Sequence, residues 1–88
     1  MAAKVEIYST TYCPYCRAAE RLLSAKGAEF TMYDVTHDTD KRHWLVETTG
    51  QTTVPQVFIN GQAVGGFTDI QALDRRGELV PLLAADPS

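Results

Sequence analysis

Residues 5–23 read VEIYSTTYCPYCRAAERLL, and a change of period inside this stretch decides the fold. Val5-Glu6-Ile7-Tyr8 alternates apolar and polar side chains, the two-residue period of a strand. Ser9 to Tyr12 is a polar loop with an aromatic end. From Cys13 the period becomes helical: Ala19, Leu22 and Leu23 share one face, with Arg17, Glu20 and Arg21 largely elsewhere. Pro14 suits the first helical turn, where a missing N–H costs nothing. Gly27 after Lys26 suits a C-cap. The unit is a strand, a Cys-x-x-Cys loop and a helix.

The remainder extends this unit. A second strand is expected at about 29–35. Asp38, Thr39 and Asp40 read as a helix start, since their side-chain oxygens can accept from free N–H groups. That helix carries Leu45 and Val46 on its apolar face and stops near Gly50. Val57-Phe58-Ile59 is a buried strand, and Asn60-Gly61 is a two-residue hairpin turn leading to a short strand at 62–64. Gly65-Gly66 ends that strand, as a bulge or a tight turn. Thr68 or Asp69 can cap a last helical region, which Gly77 and Pro81 divide in two. Asp86-Pro87-Ser88 is a polar tail expected to fray. The order βαβαββα(α) makes the first two strands parallel, because a β-α-β start needs a crossover. The expectation is an α/β protein with a four-stranded mixed sheet and helices on both faces.

With 88 residues the chain forms one domain, 1–88. Its formal net charge of −3, with no basic run, argues against a nucleic-acid binder. No apolar stretch approaches the roughly 20 residues of a membrane span. Met1-Ala2-Ala3-Lys4-Val5 lacks the apolar core of a signal peptide. The expected location is therefore the cytoplasm, a reducing compartment. There the two cysteines are catalytic or metal-binding sooner than structural.

Cys13 and Cys16 fall within one helical turn, so their thiols can form a disulfide. At a helix N-terminus, free N–H groups and the positive end of the dipole stabilise a thiolate, the attacking species in disulfide exchange. Arg17 adds a nearby positive charge. Cys13 is expected to be the more exposed, which makes it the nucleophile and Cys16 the resolving thiol. Two other readings stand beside this one. A static disulfide would close a very short loop and constrain the unfolded chain little. A zinc site would need further ligands. The only histidines, His37 and His43, lie in another segment without the i, i+3 or i, i+4 spacing of a metal clip, so no metal is expected.

Three features carry a resemblance to a known family: Cys13-Pro14-Tyr15-Cys16 after a strand, Thr53-Val54-Pro55 before a strand, and Gly65-Gly66-Phe67-Thr68-Asp69 before the last helix. In this order and spacing the chain resembles the dithiol glutaredoxins of bacterial type, from Val5 to Leu83. The resemblance implies a thioredoxin-like fold and a glutathione-dependent thiol–disulfide oxidoreductase. It implies a cis Pro55 opposite the cysteines, with the Val54 backbone free to pair with glutathione. It also implies a γ-glutamyl carboxylate site at Gly66, Thr68 and Asp69, where a helix N-terminus suits an anion, and contacts from Tyr15 and Thr53. Glutathione is then a co-substrate, with no tightly bound cofactor. The other partners implied are disulfide-bonded or glutathionylated proteins, ribonucleotide reductase among them, met by a monomer.

Two positions depart from the family pattern. Many relatives carry Lys where this chain has Thr10, and Gln or a basic residue where it has Glu47. Both usually help to hold the glycine carboxylate of glutathione, which Glu47 would repel. Arg42, a turn and a half before Glu47, is the expected substitute. These departures keep open a related donor served by a flavin-dependent thioredoxin reductase. A carrier bridging an iron–sulfur cluster through Cys13 also stands, though Pro14 disfavours it. Trp44 sits beside the expected apolar face of its helix and reads as half-buried or as a protein-contact residue.

Overall fold

Alternation and turn chemistry set the sheet. In the computed structural model, which describes residues 3–85, β1 (Val5–Ser9) pairs in parallel with β2 (Phe30–Asp34) and antiparallel with β3 (Gln56–Ile59). β3 pairs antiparallel with β4 (Gln62–Gly65), giving the order β2-β1-β3-β4. The hairpin turn is Asn60-Gly61, both at positive φ, as a twisted two-residue turn requires. β4 carries one extra residue. Phe58 faces Ala63 while Val57 faces Gly65, so Val64 bulges between them. Gly65 is the strand's last residue, one beyond the expected bound of 64, and the strand ends at the glycine pair, as expected.

Period two divides the two central strands between two cores. Val5, Ile7, Val57 and Ile59 face one side, where they pack with Ala19 and Leu23 of α1 (Pro14–Ala25), Ile70 of α3 (Phe67–Arg75), and Leu79 and Leu83 of α4 (Leu79–Ala84). Tyr8 and Phe58 face the other, under Leu45 of α2 (Thr39–Thr49) and Val35. The mixed sheet with helices on both faces is the arrangement the sequence led us to expect.

Helix ends follow local chemistry. α1 closes on Lys26 and Gly27: Gly27 N–H donates to Ser24 C=O and Ala28 N–H to Leu23 C=O, a Schellman ending. Asp38 caps α2 by accepting from Lys41 N–H at 3.0 Å, and Gly50 ends it in the left-handed region.

Three expectations are corrected. Neither Thr68 nor Asp69 stands at the N-cap position of α3. Gly66 takes that place, and Asp69, at the third helical position, accepts from Gly66 N–H at 2.9 Å. Gly77 separates α3 from α4, but Pro81 lies in the first turn of α4, where no N–H is required, and divides nothing. Val46 is exposed; Trp44, 38% exposed, covers the second core by stacking on Phe58. The tail 86–88 lies outside the described residues.

Candidate active site

The parallel crossover brings the end of β1 and the start of α1 to one edge of the sheet, and the cysteines stand there. Cys13 is the N-cap of α1, and its sulfur accepts from Cys16 N–H at 3.1 Å. The helix therefore begins on the Cys13 sulfur, and its N-terminal field acts there at closest range. The Cα atoms of Cys13 and Cys16 are 5.1 Å apart and the sulfurs are at disulfide distance. Cys13 is 9% exposed and Cys16 0%, in the expected order. The charge expected from Arg17 is largely engaged elsewhere, because its Nε lies 2.7 Å from a Glu20 carboxylate oxygen.

Opposite the cysteines the Val54–Pro55 peptide is cis, as the resemblance implied, and Val54 C=O lies 3.7 Å from Cys13 Sγ. The loop carrying it is stiffened by Gln56, a buried polar side chain. Its amide donates to Thr53 C=O at 2.8 Å and to Gln51 Oε1 at 3.1 Å. Among the described residues Val54 N–H has no acceptor.

Two cavities meet along this loop. One, of about 250 Å³, is lined by Tyr15, Gln51, Thr53, Val54, Pro55 and the first turn of α3 from Gly66 to Asp69. The other, of about 430 Å³, is bounded by Thr53, Val54 and Gln51 together with the α2 face bearing Arg42 and His43. Of the residues singled out from sequence for glutathione, Tyr15, Thr53, Val54, Pro55, Gly66, Thr68 and Asp69 line the first cavity. Arg42 lines the second, with Thr53 and Val54 common to both. Arg42 has no ion-pair partner among the described residues. Glu47 lines neither cavity; it lies 2.9 Å from His43 Nε2. Its side chain is mostly exposed, so water and salt screen its expected repulsion of a bound carboxylate. Tyr15 is 62% exposed, with its ring tilted toward Phe67.

Sequence reasoning missed Gln51, which borders both cavities, and Gln56, which braces the loop. The available signal was position. Gln51 opens the short span between the Gly50 helix stop and Pro55, a loop whose side chains have the groove as a neighbour. Among the described residues no three His, Cys, Asp or Glu side chains gather as a metal site would need.

The family model named Glutaredoxin matches residues 5–64. The chain belongs to the glutaredoxin family. Among curated relatives, Glutaredoxin 3 of Escherichia coli strain K12 is 48% identical over 81 residues, 92% of this chain and 98% of the relative. Among solved structures, a buckwheat glutaredoxin–glutathione complex superposes with a TM-score of 0.86 at 34% identity, covering 92% of this chain and 76% of the other. A dithiolic glutaredoxin of Trypanosoma brucei brucei gives 0.85 at 38%, covering 93% and 88%. The fold is thus thioredoxin-like. Glutaredoxins are thiol–disulfide oxidoreductases, and this is the activity of the chain.

Proposed function

We propose that the protein reduces protein–glutathione mixed disulfides and protein disulfides with electrons from glutathione, in a reducing compartment such as the cytoplasm. The observation that carries this reading is the position of Val54, which lines both cavities and lies beside the Cys13 sulfur. A glutathione lying along the loop would bring its cysteine to Cys13. Its γ-glutamyl end would then meet Gly66, Thr68 and Asp69, and its glycine carboxylate would meet Arg42. The first three N–H groups of α3 have no partner inside the helix and favour the γ-glutamyl carboxylate. The free guanidinium of Arg42 takes over from the lysine that Thr10 replaces. Tyr15 and Pro55 wall the cysteine portion, and the Thr53–Val54 backbone offers the pairing groups.

In the reaction, the Cys13 thiolate attacks the glutathione sulfur of a mixed disulfide. A Cys13–glutathione bond forms as the old S–S bond breaks, and the protein leaves as a thiolate that water protonates. A second glutathione thiolate attacks the bound glutathione sulfur, releasing glutathione disulfide and restoring the Cys13 thiolate. Two glutathiones thereby supply two electrons. With a protein disulfide, Cys13 bonds to one sulfur and frees the other. Cys16 thiolate then attacks the Cys13 sulfur, releasing the protein dithiol and leaving Cys13–Cys16 oxidised. Glutathione reduces that bond in two exchanges. The thiolate character that this needs comes from the Cys13 position at the helix N-terminus.

The test is reduction of a small glutathione mixed disulfide, with glutathione, glutathione reductase and NADPH supplied. Cys13→Ser abolishes turnover, whereas Cys16→Ser keeps it and loses only protein-disulfide reduction. Survival of activity in Cys13→Ser would refute the assignment of the nucleophile. Direct reduction by thioredoxin reductase with no glutathione turnover would refute the choice of donor.

A further inference from the structure

We propose that Tyr12 is the contact through which this chain recognises the protein side of its substrate, and that glutathione does not touch it. The inference rests on the reading of Cys13 as the nucleophile. Single exposed apolar side chains are ordinary on protein surfaces, so exposure alone would say little. Three observations together say more.

First, the Tyr12 side chain is 95% exposed, the most of any large apolar residue described, and it is adjacent in sequence to Cys13. Second, the backbone on either side is held. Thr11 N–H donates to Thr36 Oγ1 at 2.9 Å, and Thr11 Oγ1 donates to Asp34 Oδ2 at 3.4 Å. Asp34 Oδ1 in turn accepts from both Thr36 Oγ1, at 2.6 Å, and Thr36 N–H, at 2.9 Å. On the other side Cys13 is fixed as the N-cap of α1. A clamp from the end of β2 and a helix start thus hold the residue between them, and its ring projects into solvent. Third, Tyr12 lines neither cavity along the Val54 loop, whereas Tyr15 lines one of them.

The geometry separates the two halves of a mixed disulfide. The glutathione half has the groove. Cys13 is only slightly exposed, so a protein delivering its own sulfur there must lie over the neighbouring surface, and Tyr12 is that surface. A tyrosine fixed in this way offers a large amphipathic contact with only two side-chain torsions to order. A backbone already pinned reduces the ordering cost of binding. The occupant is the polypeptide flanking the disulfide cysteine of a substrate protein, with apolar or aromatic side chains beside the sulfur.

The experiment compares wild type, Tyr12→Ala and Tyr12→Phe on two probes sharing the same bond: the glutathione mixed disulfide of 2-mercaptoethanol, and glutathionylated serum albumin. Tyr12→Ala is expected to raise KM for albumin about tenfold with kcat little changed, the size of an interface anchor lost. It should leave kcat/KM on the small disulfide unchanged, and Tyr12→Phe should follow wild type on both. Equal losses on the two probes, or no loss on either, would overturn the proposal. So would wild type that turns over the small disulfide but not albumin, or a wild-type dimer that Tyr12→Ala converts to monomers. Wild type inactive on both probes would instead remove the nucleophile reading, and this inference with it.

Discussion

Arg42 sits half-buried in the wall of the larger cavity, its guanidinium without an ion-pair partner among the described residues, while Glu47 on the same helix lines no part of that cavity and lies beside His43, largely exposed. A charged hydrogen bond to a carboxylate contributes roughly 1.5–3 kcal/mol, so Arg42→Ala should raise the glutathione KM about tenfold or more. Initial rates against glutathione concentration check this, and Glu47→Gln should change the same KM by less than about twofold. Asp34 makes a different kind of statement. Hydrogen bonds from the Thr36 hydroxyl and N–H, and from Thr11, hold its carboxyl below the ordinary carboxylate value. The folded state therefore favours the ionised form. The stabilisation is complete above the unfolded-chain value of about 3.9, and it is lost as the pH falls through the lower folded value. Melting temperatures recorded on the acid side should accordingly fall less steeply for Asp34→Asn than for wild type. The same titration loosens the clamp that holds Thr11.

The β4–α3 junction shows what a short element boundary can demand. Gly65 has a φ of 106°, and a Cβ there would stand 2.7 Å from the Asp69 Cβ, against the carboxylate that caps Gly66 N–H. Gly66 is extended, and a Cβ on it would meet only Pro55 C=O, at 3.1 Å. Gly65→Ala should thus cost about 1–3 kcal/mol in chemical denaturation, and Gly66→Ala distinctly less. The glycine pair was visible in the sequence, but its division of labour was not. What was legible is chemistry confined to a few neighbouring residues: Pro14 at a helix start, Gly27 and Gly50 at helix ends, Asp38 as a cap, Asn60-Gly61 as a turn. What was not legible depends on partners distant in the chain or across a fold boundary. Asp69 looked like a cap because nothing in the sequence shows that the bulge hands the cap position to Gly66. Val46 looked like core because the flat ring of Trp44 finds Phe58 only once α2 lies on the sheet. The Cys13–Val54 approach spans 41 residues, and only the family resemblance anticipated it.

The two central strands carry a core on each face, so neither helical layer stands on a scaffold of its own. Ile7 and Val57 serve the α1, α3 and α4 side, while their chain neighbours Tyr8 and Phe58 serve the α2 side. Loss of either core strips support from the strands that carry the other. Trp44, the chain's only tryptophan, stacks on Phe58 with Tyr8 beside it and the Lys41 ammonium 4.6 Å above its ring. It therefore acts as a lamp on one side of the sheet: its emission registers the docking of α2, whereas far-ultraviolet dichroism registers all the helices. If the shared strands couple the two sides, the melting curves recorded by the two optical signals superimpose. A fluorescence change that runs ahead of the dichroism would mean that α2, and with it the wall bearing Arg42, can lift away while the cysteines keep their place.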